Sequence, residues 1–474
     1  MNFTQVKTSA FLEQTIAIGL LVVMVFTVLA HGAVEPWSVL LFELLMTVLM
    51  LLWATKVLID KKLILIVPHT VWPLVALLAL GLVQSISVTG ADGFQKSLSL
   101  DVEATHNVVL IIICLIAGIL IAGNFWVSHH RLELLAKWLT FYGLALAIFA
   151  IIQHLTWNER FYWLRWNASY APFGPFVNRN HFAGYMELLL PWPVAMMLRR
   201  WGHWQELLFY GLAAAWIGVA AILTLSRGGM ISILAELMLI VVLSLRLTHY
   251  RSKHTPHSSR KGRTLLLQFA AIVVILATIM SGVLWLSGQR IINRITTGQE
   301  TEGNVALPAQ TFAGSRGVFW LASWTIFQAN ALTGVGLGAY ETAFSIYGGE
   351  KIVGGQAVVD RAHIDYLQSL TDGGIIGGLI VLWFLIVLWR AAKRGLQLAD
   401  PLRQTVALAC VVSLFGLLVH SLFDYNLQLP SHSLLFVSYA AILGQLSTLA
   451  IEATPVPGPS LVAEGVGNLH RSLQ

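Results

Sequence analysis

Residues 107–127 read NVVLIIICLIAGILIAGNFWV, a stretch without a single charged side chain. About 20 apolar residues in a helix cross the ~30 Å hydrocarbon core of a bilayer. Similar stretches recur along the 474-residue chain, of which 57% is hydrophobic and only 11% charged, with a mean hydropathy of +0.74. Because such runs suit helices that satisfy their own backbone groups in lipid, the sequence predicts an all-α polytopic membrane protein.

The apolar stretches predict about twelve transmembrane helices in one transmembrane domain, residues 1–452. The first stretch is too long for a signal peptide and lacks a small-residue cleavage pattern, so it is interpreted as a membrane helix. Pro455, Pro457 and Pro459 predict a disordered tail at 453–474. The predicted spans are 14–34, 38–58, 68–87, 107–127, 133–154, 181–199, 205–224, 228–247, 265–287, 373–391, 402–421 and 431–450.

An even number of spans puts both termini on one side of the membrane. Most of the 29 basic residues fall in connectors on that side, which the positive-inside rule identifies as cytoplasmic. Their spread over many short loops does not indicate nucleic-acid binding. Cations kept on the outer side, against this orientation preference, are candidates for holding anions: Lys96, Arg160, Arg165, Arg179, Arg227, Arg290, Arg294, Arg316, Lys351 and Arg361.

Two outer connectors are long enough to fold. Residues 156–180 are rich in aromatic side chains, which is typical of a segment at headgroup depth. Residues 288–372, between predicted spans 9 and 10, should form a large loop or cap that contains a helix near 316–329.

Polar residues cluster at the outer ends of two central spans. Arg179, Asn180 and His181 lead into the span at 181–199, where an asparagine could simply cap the helix. The turn Ser226-Arg227-Gly228-Gly229 would let backbone N–H groups and an arginine meet a phosphate. Alternatively, Arg227 snorkels to the membrane interface.

Two further clusters lie later in the chain. Arg316 and the segment Arg361-Ala-His363-Ile-Asp365-Tyr366-Leu-Gln368 bound the large outer loop. If this segment is helical, Arg361 and Asp365 are four residues apart and can pair. His363 is a candidate proton acceptor or a structural histidine. Asp424, after the eleventh span, could orient a histidine or an arginine, or merely end a polar loop.

No HExxH, paired CxxC, phosphate-binding or dinucleotide motif occurs, so neither a metal nor a cofactor is expected. Zinc proteolysis and ATP-driven transport are therefore poorly supported. Cys114 and Cys410 lie inside apolar runs and are interpreted as packing residues.

Together, the Asn-Arg-Asn-His-Phe-Ala-Gly-Tyr segment, the Ser-Arg-Gly-Gly turn and the His-x-Asp-Tyr-Leu-Gln segment resemble the O-antigen ligase and O-antigen polymerase superfamily, over about residues 170–430. The family's last motif usually reads His-Asn-Asp-Tyr, whereas this chain has Ile364 at the second position. The difference leaves His363 and Asp365 in place, and a role for an amide at this position is not expected.

The resemblance implies a GT-C-like glycosyltransferase of the bacterial inner membrane, with its active site facing the periplasm. It implies transfer of a glycan from an undecaprenyl-pyrophosphate carrier to a hydroxyl of lipid A-core in the ligase branch, or to a second carrier-linked glycan in the polymerase branch. The ligase is favoured here. The expected catalytic residues are His363, Arg227, Arg316 and Asp424, and the expected substrate-binding residues are Arg361, Arg179, Asn180, His181, Asp365, Tyr366 and Gln368.

A polysaccharide or lipid transporter is the alternative of another class. It should carry charges through the middle of several spans, whereas here they gather at one end. An arginine-rich outer face suits a pyrophosphate leaving group, because guanidinium groups neutralise its charge by bidentate contacts. The outer arginines therefore fit the lipid-pyrophosphate substrate that the resemblance implies.

Overall fold

The computed structural model describes residues 3–89, 95–166, 172–199, 203–254, 312–347 and 361–452. The architecture is that of an all-α polytopic membrane protein, with two short antiparallel hairpins, β1–β2 (Ser87–Thr89, Gln95–Ser97) and β3–β4 (Arg160–Phe161, Arg165–Trp166). The helices are α1 (Phe3–Leu29), α2 (Pro36–Asp60), α3 (Val71–Gln84), α4 (Val102–Phe125), α5 (His129–Leu155), α6 (Arg179–Leu189), α7 (Pro191–Arg199), α8 (Trp204–Leu223), α9 (Arg227–His254), α10 (Phe312–Ala329), α11 (Tyr340–Ile346), α12 (Asp365–Gly395), α13 (Pro401–His420) and α14 (Pro430–Glu452).

Within the described ranges, nine helices are long and apolar enough to cross a membrane: α1, α2, α4, α5, α8, α9, α12, α13 and α14. The predicted span at 265–287 lies outside the described residues. The predicted span at 68–87 is the shorter helix α3, of 14 residues. The helix coincides with the uninterrupted apolar run 71–83, which His69 and Thr70 precede and Gln84 and Ser85 follow, so the predicted span was too long at both ends.

The predicted single span at 181–199 is instead two helices, α6 of 11 residues and α7 of 9. Pro191 and Pro193 explain the division, because a proline ring clashes with the carbonyl four residues earlier and supplies no N–H. The first span also differs from its prediction of 14–34. It ends at Leu29 because His31, Gly32 and Ala33 all have positive φ.

Local signals fix several of the other helix starts. Asp101 accepts a hydrogen bond from the Ala104 N–H at 2.9 Å and begins α4. Asp400 accepts one from the Arg403 N–H at 2.7 Å and begins α13, where Pro401 suits the first helical position. Each cap satisfies an N–H group that the helix itself leaves unpaired.

Helix α14 is the most buried of the spans, and it packs on α4, α12, α13 and α1. In the aromatic connector 156–180, Phe161, Phe173 and Phe176 are buried by protein, whereas Trp157 and Leu164 are exposed. The predicted interfacial segment is therefore partly packed against the bundle. Helix α10 occupies the position predicted for a helix in the large outer loop.

Candidate functional site

The carboxylate of Asp424 is the centre of a polar cluster at one end of the bundle. Asp424 follows the end of α13 and is 1% exposed. Its Oδ1 lies 3.6 Å from Nδ1 of His363 and 4.0 Å from Nε2 of His181. Its Oδ2 accepts a hydrogen bond of 3.0 Å from the Asn180 amide, and Oδ1 accepts one of 2.9 Å from the Tyr425 N–H. Two histidines from distant parts of the sequence thus share one carboxylate.

The surroundings of Asp424 favour its charged form. Burial by itself would raise the pKa of this carboxyl, but the hydrogen bond with His363 and the positive potential of His181, His363 and His420 outweigh burial. The pKa of Asp424 is therefore lowered well below its ordinary value. Asp424 therefore stabilises the folded protein at pH values above its ordinary pKa. This contribution is lost only as the pH falls through the lowered pKa. At neutral pH Asp424 can stabilise an imidazolium.

His363 is held in an unusual backbone conformation just before α12, with φ +54°. Phe319 of α10 stacks on its ring at 5.6 Å, and Tyr425 meets the ring edge-on at 5.0 Å. The side chain remains 29% exposed. A histidine whose Nδ1 faces a carboxylate presents Nε2 as a proton acceptor, which is the arrangement that general-base catalysis needs.

His181 lies opposite His363, on the first turn of α6. Asn178 caps this helix by accepting from the Asn180 N–H at 2.8 Å, so the helix-cap interpretation is correct for Asn178. Asn180 instead uses its amide to bind Asp424. His181 also meets Tyr425 edge-on at 4.9 Å, and its backbone carbonyl lies 2.7 Å from Nε2 of His432.

Arg227 lies at the same end of the bundle, as the exposed first residue of α9. The chain enters this helix through Leu225, which has φ +55°. A methyl group added at Gly228 would lie 3.0 Å from Cβ of Phe423 and 3.0 Å from Cδ2 of His420. Since Phe423 immediately precedes Asp424, the arginine turn and the Asp424 turn are in direct contact.

The other predicted arginines occupy three different elements. Arg179 is the first residue of α6 and is half-buried. Arg316 is on α10, one helical turn before Phe319, which stacks on His363; its side chain is outside the described residues. Arg361 precedes α12 and interacts electrostatically with Asp372 of that helix.

The predicted pairing of Arg361 with Asp365 assumed a helix that the structure does not have. Helix α12 begins at Asp365, so Arg361 is not one turn away on it. Asp365 accepts hydrogen bonds from the Ser421 hydroxyl at 2.8 Å and the Leu427 N–H at 3.1 Å. This carboxylate therefore joins α12 to the turn after α13, which carries Asp424.

Two other predicted substrate-binding residues also have internal partners. The Tyr366 hydroxyl donates to the Leu418 carbonyl at 2.8 Å. Gln368 is buried, accepts from the Ala362 N–H at 2.7 Å and donates to Asp372 at 3.3 Å. Their role in substrate binding stays a prediction, and the structure gives each a role in supporting the segment around His363.

A buried pair, Glu187 and His420, was not among the predicted site residues. Nδ1 of His420 lies 2.9 Å from Oε1 of Glu187, and the two side chains are 1% and 0% exposed. The available signal was a carboxylate in the apolar stretch that follows His181, since such groups are rare at membrane depth and usually functional.

Among the described residues, no group of three or more His, Cys, Asp or Glu side chains has an arrangement that could hold a metal ion. The arrangement offers an imidazole–carboxylate pair at the same end of the bundle as an arginine that begins a helix. Such a pair accepts protons, and a cation there binds anions.

Comparison with known proteins agrees with this chemistry. Residues 212–382 match the family model described as O-Antigen ligase. No curated protein matches the chain. The matched region includes Arg227, Arg316 and His363, whereas Asp424 and α6 lie outside it.

The match supports, in broad terms, a membrane glycosyltransferase-like enzyme with a function of the O-antigen ligase or polymerase type. It does not distinguish the two branches, and it implies a lipid-linked glycan and a lipid or glycan acceptor in the membrane. Over residues 212–382, the chain is therefore similar to the O-antigen ligase superfamily.

Proposed function

We propose that this protein is an O-antigen ligase that transfers a glycan from undecaprenyl-pyrophosphate to a hydroxyl of lipid A-core. One observation carries the proposal: the His363–Asp424 pair lies at the same end of the bundle as the Arg227 turn, which it meets through Phe423. A proton acceptor beside a cation is what attack by a hydroxyl on a sugar pyrophosphate requires.

His363 is the proposed general base. The acceptor oxygen bonds to the anomeric carbon while the bond from that carbon to the pyrophosphate oxygen breaks. The hydroxyl proton passes to His363, and Asp424, 3.6 Å from its Nδ1, stabilises the imidazolium that forms. Attack from the face opposite the leaving group inverts the anomeric centre.

The arginines are the proposed donor site. Undecaprenyl pyrophosphate departs with the electron pair of the broken bond, so negative charge grows on its oxygens. Arg227 and Arg316 neutralise this charge by bidentate contacts, with Arg361 and Arg179 as helpers. Asn180, His181, Asp365, Tyr366 and Gln368 line or support the same end of the bundle.

The proposed location is the bacterial inner membrane, with this end of the bundle facing the periplasm and both termini in the cytoplasm. The positive-inside rule supports that orientation. Helix ends away from the cluster carry basic residues such as Arg131, whose guanidinium lies 2.6 Å from Glu13, and Lys56, which lies 2.6 Å from Asp60.

Purified protein in proteoliposomes tests the proposal. Carrier-linked glycan supplied together with lipid A-core should give a transferred product, whereas carrier-linked glycan alone should give none. Product in the second reaction alone would identify a polymerase. Absence of product in both would overturn the proposed function.

His363→Ala and Arg227→Ala should each lower the rate by at least about 10²-fold, since a general base or a charge-neutralising donor supplies about that much. His130→Ala and Arg246→Ala are matched controls, because both residues are exposed and lie on α5 and α9 at the other end of the bundle. Wild-type rates from His363→Ala or Arg227→Ala would remove that residue from the proposed mechanism.

A further inference from the structure

The pair of Glu187 and His420 lies directly beneath the turn that carries Arg227. Nδ1 of His420 is 2.9 and 3.1 Å from the two carboxylate oxygens of Glu187, and both side chains are shut off from solvent. Burying a carboxylate is energetically costly unless a close partner compensates it. Apolar residues would fill the same space without that cost, so the pair calls for an explanation beyond packing.

Both members of the pair contact the glycines that follow Arg227. A methyl group at Gly228 would lie 3.0 Å from Cδ2 and 3.1 Å from Nε2 of His420. A methyl group at Gly229 would lie 3.2 Å from Oε1 of Glu187 and 2.8 Å from Cβ of Ala183. The first turn of α9 therefore rests on the imidazole and on the carboxylate at once.

The backbone of His420 performs a second task, at the turn that carries Asp424. Its carbonyl accepts a hydrogen bond of 2.7 Å from the Phe423 N–H and one of 3.1 Å from the Asp424 N–H. One residue thus contacts the Arg227 turn through its ring and the Asp424 turn through its carbonyl. The distance between the two turns depends on where this ring is held.

We propose that Glu187 and His420 are positioning residues that set the place of Arg227 relative to the His363–Asp424 pair. This inference rests on the proposed function, in which Arg227 binds the donor pyrophosphate. Glu187 holds the imidazole through Nδ1, and the opposite edge of the ring supports Gly228. Movement of that ring displaces the arginine from the pyrophosphate while His363 and Asp424 keep their own contact.

His420→Asn keeps one contact of the ring, the hydrogen bond to Glu187, and removes the other, the contact with Gly228. The asparagine amide takes the place of Nδ1 and keeps a hydrogen bond to Glu187, while the ring edge against Gly228 is lost. We expect the donor KM to rise about fivefold or more and the acceptor KM to stay unchanged, because misplacing a binding group weakens the contacts it makes. A purely structural role would lower the active fraction, and thus kcat, with both KM values unchanged.

Ser413→Ala is the matched control. The Ser413 hydroxyl donates to the Leu188 carbonyl at 2.9 Å, so it joins the same two helices, α13 and α6, as the pair does. Its loss removes a buried hydrogen bond between these helices without touching the Arg227 turn. Donor KM should remain within about twofold of wild type, since generic loosening of the two helices does not move Arg227.

Gly228→Ala provides a second test if His420→Asn folds poorly. The added methyl group presses on His420 and Phe423 and should raise the donor KM in the same way. Gly211→Ala is its control, because the nearest atom to the added methyl group is Sδ of Met197, at an ordinary 3.6 Å. Gly211→Ala should leave the donor KM unchanged.

Binding of undecaprenyl pyrophosphate to the protein in nanodiscs separates failure of this inference from failure of the proposed function. If wild type does not bind this lipid, the proposed donor is wrong. A different result would overturn the positioning role alone. In that case wild type binds the lipid and Arg227→Ala weakens binding, but His420→Asn does not. We expect Arg227→Ala and His420→Asn each to raise the Kd about fivefold or more. Ser413→Ala should leave the Kd within about twofold of wild type.

Discussion

A single buried carboxylate organises residues that are far apart in the sequence. Asp424 brings together Asn180 and His181 from α6 and His363 from the segment before α12. Hydrogen bonds and ring contacts hold these side chains in place, so in the proposed function they would need little rearrangement when a substrate binds. Such preorganisation is the main way in which an enzyme supplies electrostatic stabilisation.

Tyr366 tests whether a predicted substrate-binding residue has a structural role instead. Its hydroxyl already donates to the Leu418 carbonyl at 2.8 Å. Tyr366→Phe should therefore lower the free energy of unfolding by about 1 kcal/mol, the net value of such a hydrogen bond, and leave both KM values unchanged. Thermal unfolding in detergent and steady-state kinetics provide the two measurements.

Ser369→Ala is the control for this variant. It removes a hydroxyl that donates only within α12, to the Asp365 carbonyl at 2.8 Å, and should change stability by less than about 0.5 kcal/mol. An increased KM in Tyr366→Phe would instead support the binding role predicted from the sequence.

At the scale of single elements, the sequence predicted where most helices lie but not how they are interrupted. Residues 373–391 were expected as one span, whereas α12 runs from Asp365 to Gly395 and has a kink at Gly374, with φ +62°. From the sequence alone, a glycine in an apolar run does not indicate a kink, because the kink depends on which backbone atoms pack against that glycine. At Gly374, backbone atoms of Leu332 and Gly334 approach so closely that no side chain fits.

The short helix α3 is linked to this kink by the side chain of Gln84. Its amide donates to the Thr333 carbonyl at 2.6 Å and the Asp372 carbonyl at 2.9 Å, and it accepts from the Leu337 N–H at 3.0 Å. Gln84→Leu would leave these buried backbone groups without that partner. The Asp372 carbonyl still accepts from the Gly336 N–H at 3.1 Å. The free energy of unfolding should fall by about 2–6 kcal/mol, because the Thr333 carbonyl and the Leu337 N–H would lose the Gln84 partner at about 1–3 kcal/mol each.

Gln153→Leu is the contrasting variant, again measured by thermal unfolding. Gln153 is also buried, but neither side-chain polar atom has a hydrogen-bond partner among the described residues. Replacement by leucine should be neutral or stabilising, since it removes polar atoms that are already unsatisfied. If Gln84→Leu and Gln153→Leu lowered the free energy of unfolding equally, the hydrogen bonds of Gln84 would not be the cause of the lower stability.

For the whole molecule, the alternation of spans predicted which residues gather at one end. His181, Arg227, His363 and Asp424 do lie together at one end. The sequence could not predict which of them touch, because contacts depend on how α6, α9, α12 and α13 pack. The Glu187–His420 pair illustrates this limit, since its partners are on different helices and share no motif.

The two ends of the bundle should react differently with a membrane-impermeant thiol reagent. Val177 is exposed beside the site, and His130 is exposed at the other end. A single cysteine at position 177 should be labelled from the periplasmic side of intact spheroplasts. A single cysteine at position 130 should be labelled only after the membrane is opened.

The native thiols give little background in this experiment, because Cys114 and Cys410 are both buried. Both can also be replaced by alanine, with transfer activity as a check on the fold. Labelling of position 130, but not of position 177, in intact spheroplasts would reverse the proposed orientation.

The aromatic rings around His363 influence whether the proposed base activates a sugar hydroxyl or a water molecule. Phe319 covers one face of the imidazole and Tyr425 lies against its edge, and the side chain is left 29% exposed. A base that is open to bulk water would activate water as readily as a sugar and would hydrolyse the carrier lipid. In the proposed function, these rings would therefore favour attack by a sugar hydroxyl over attack by water without any change in the acid–base chemistry itself.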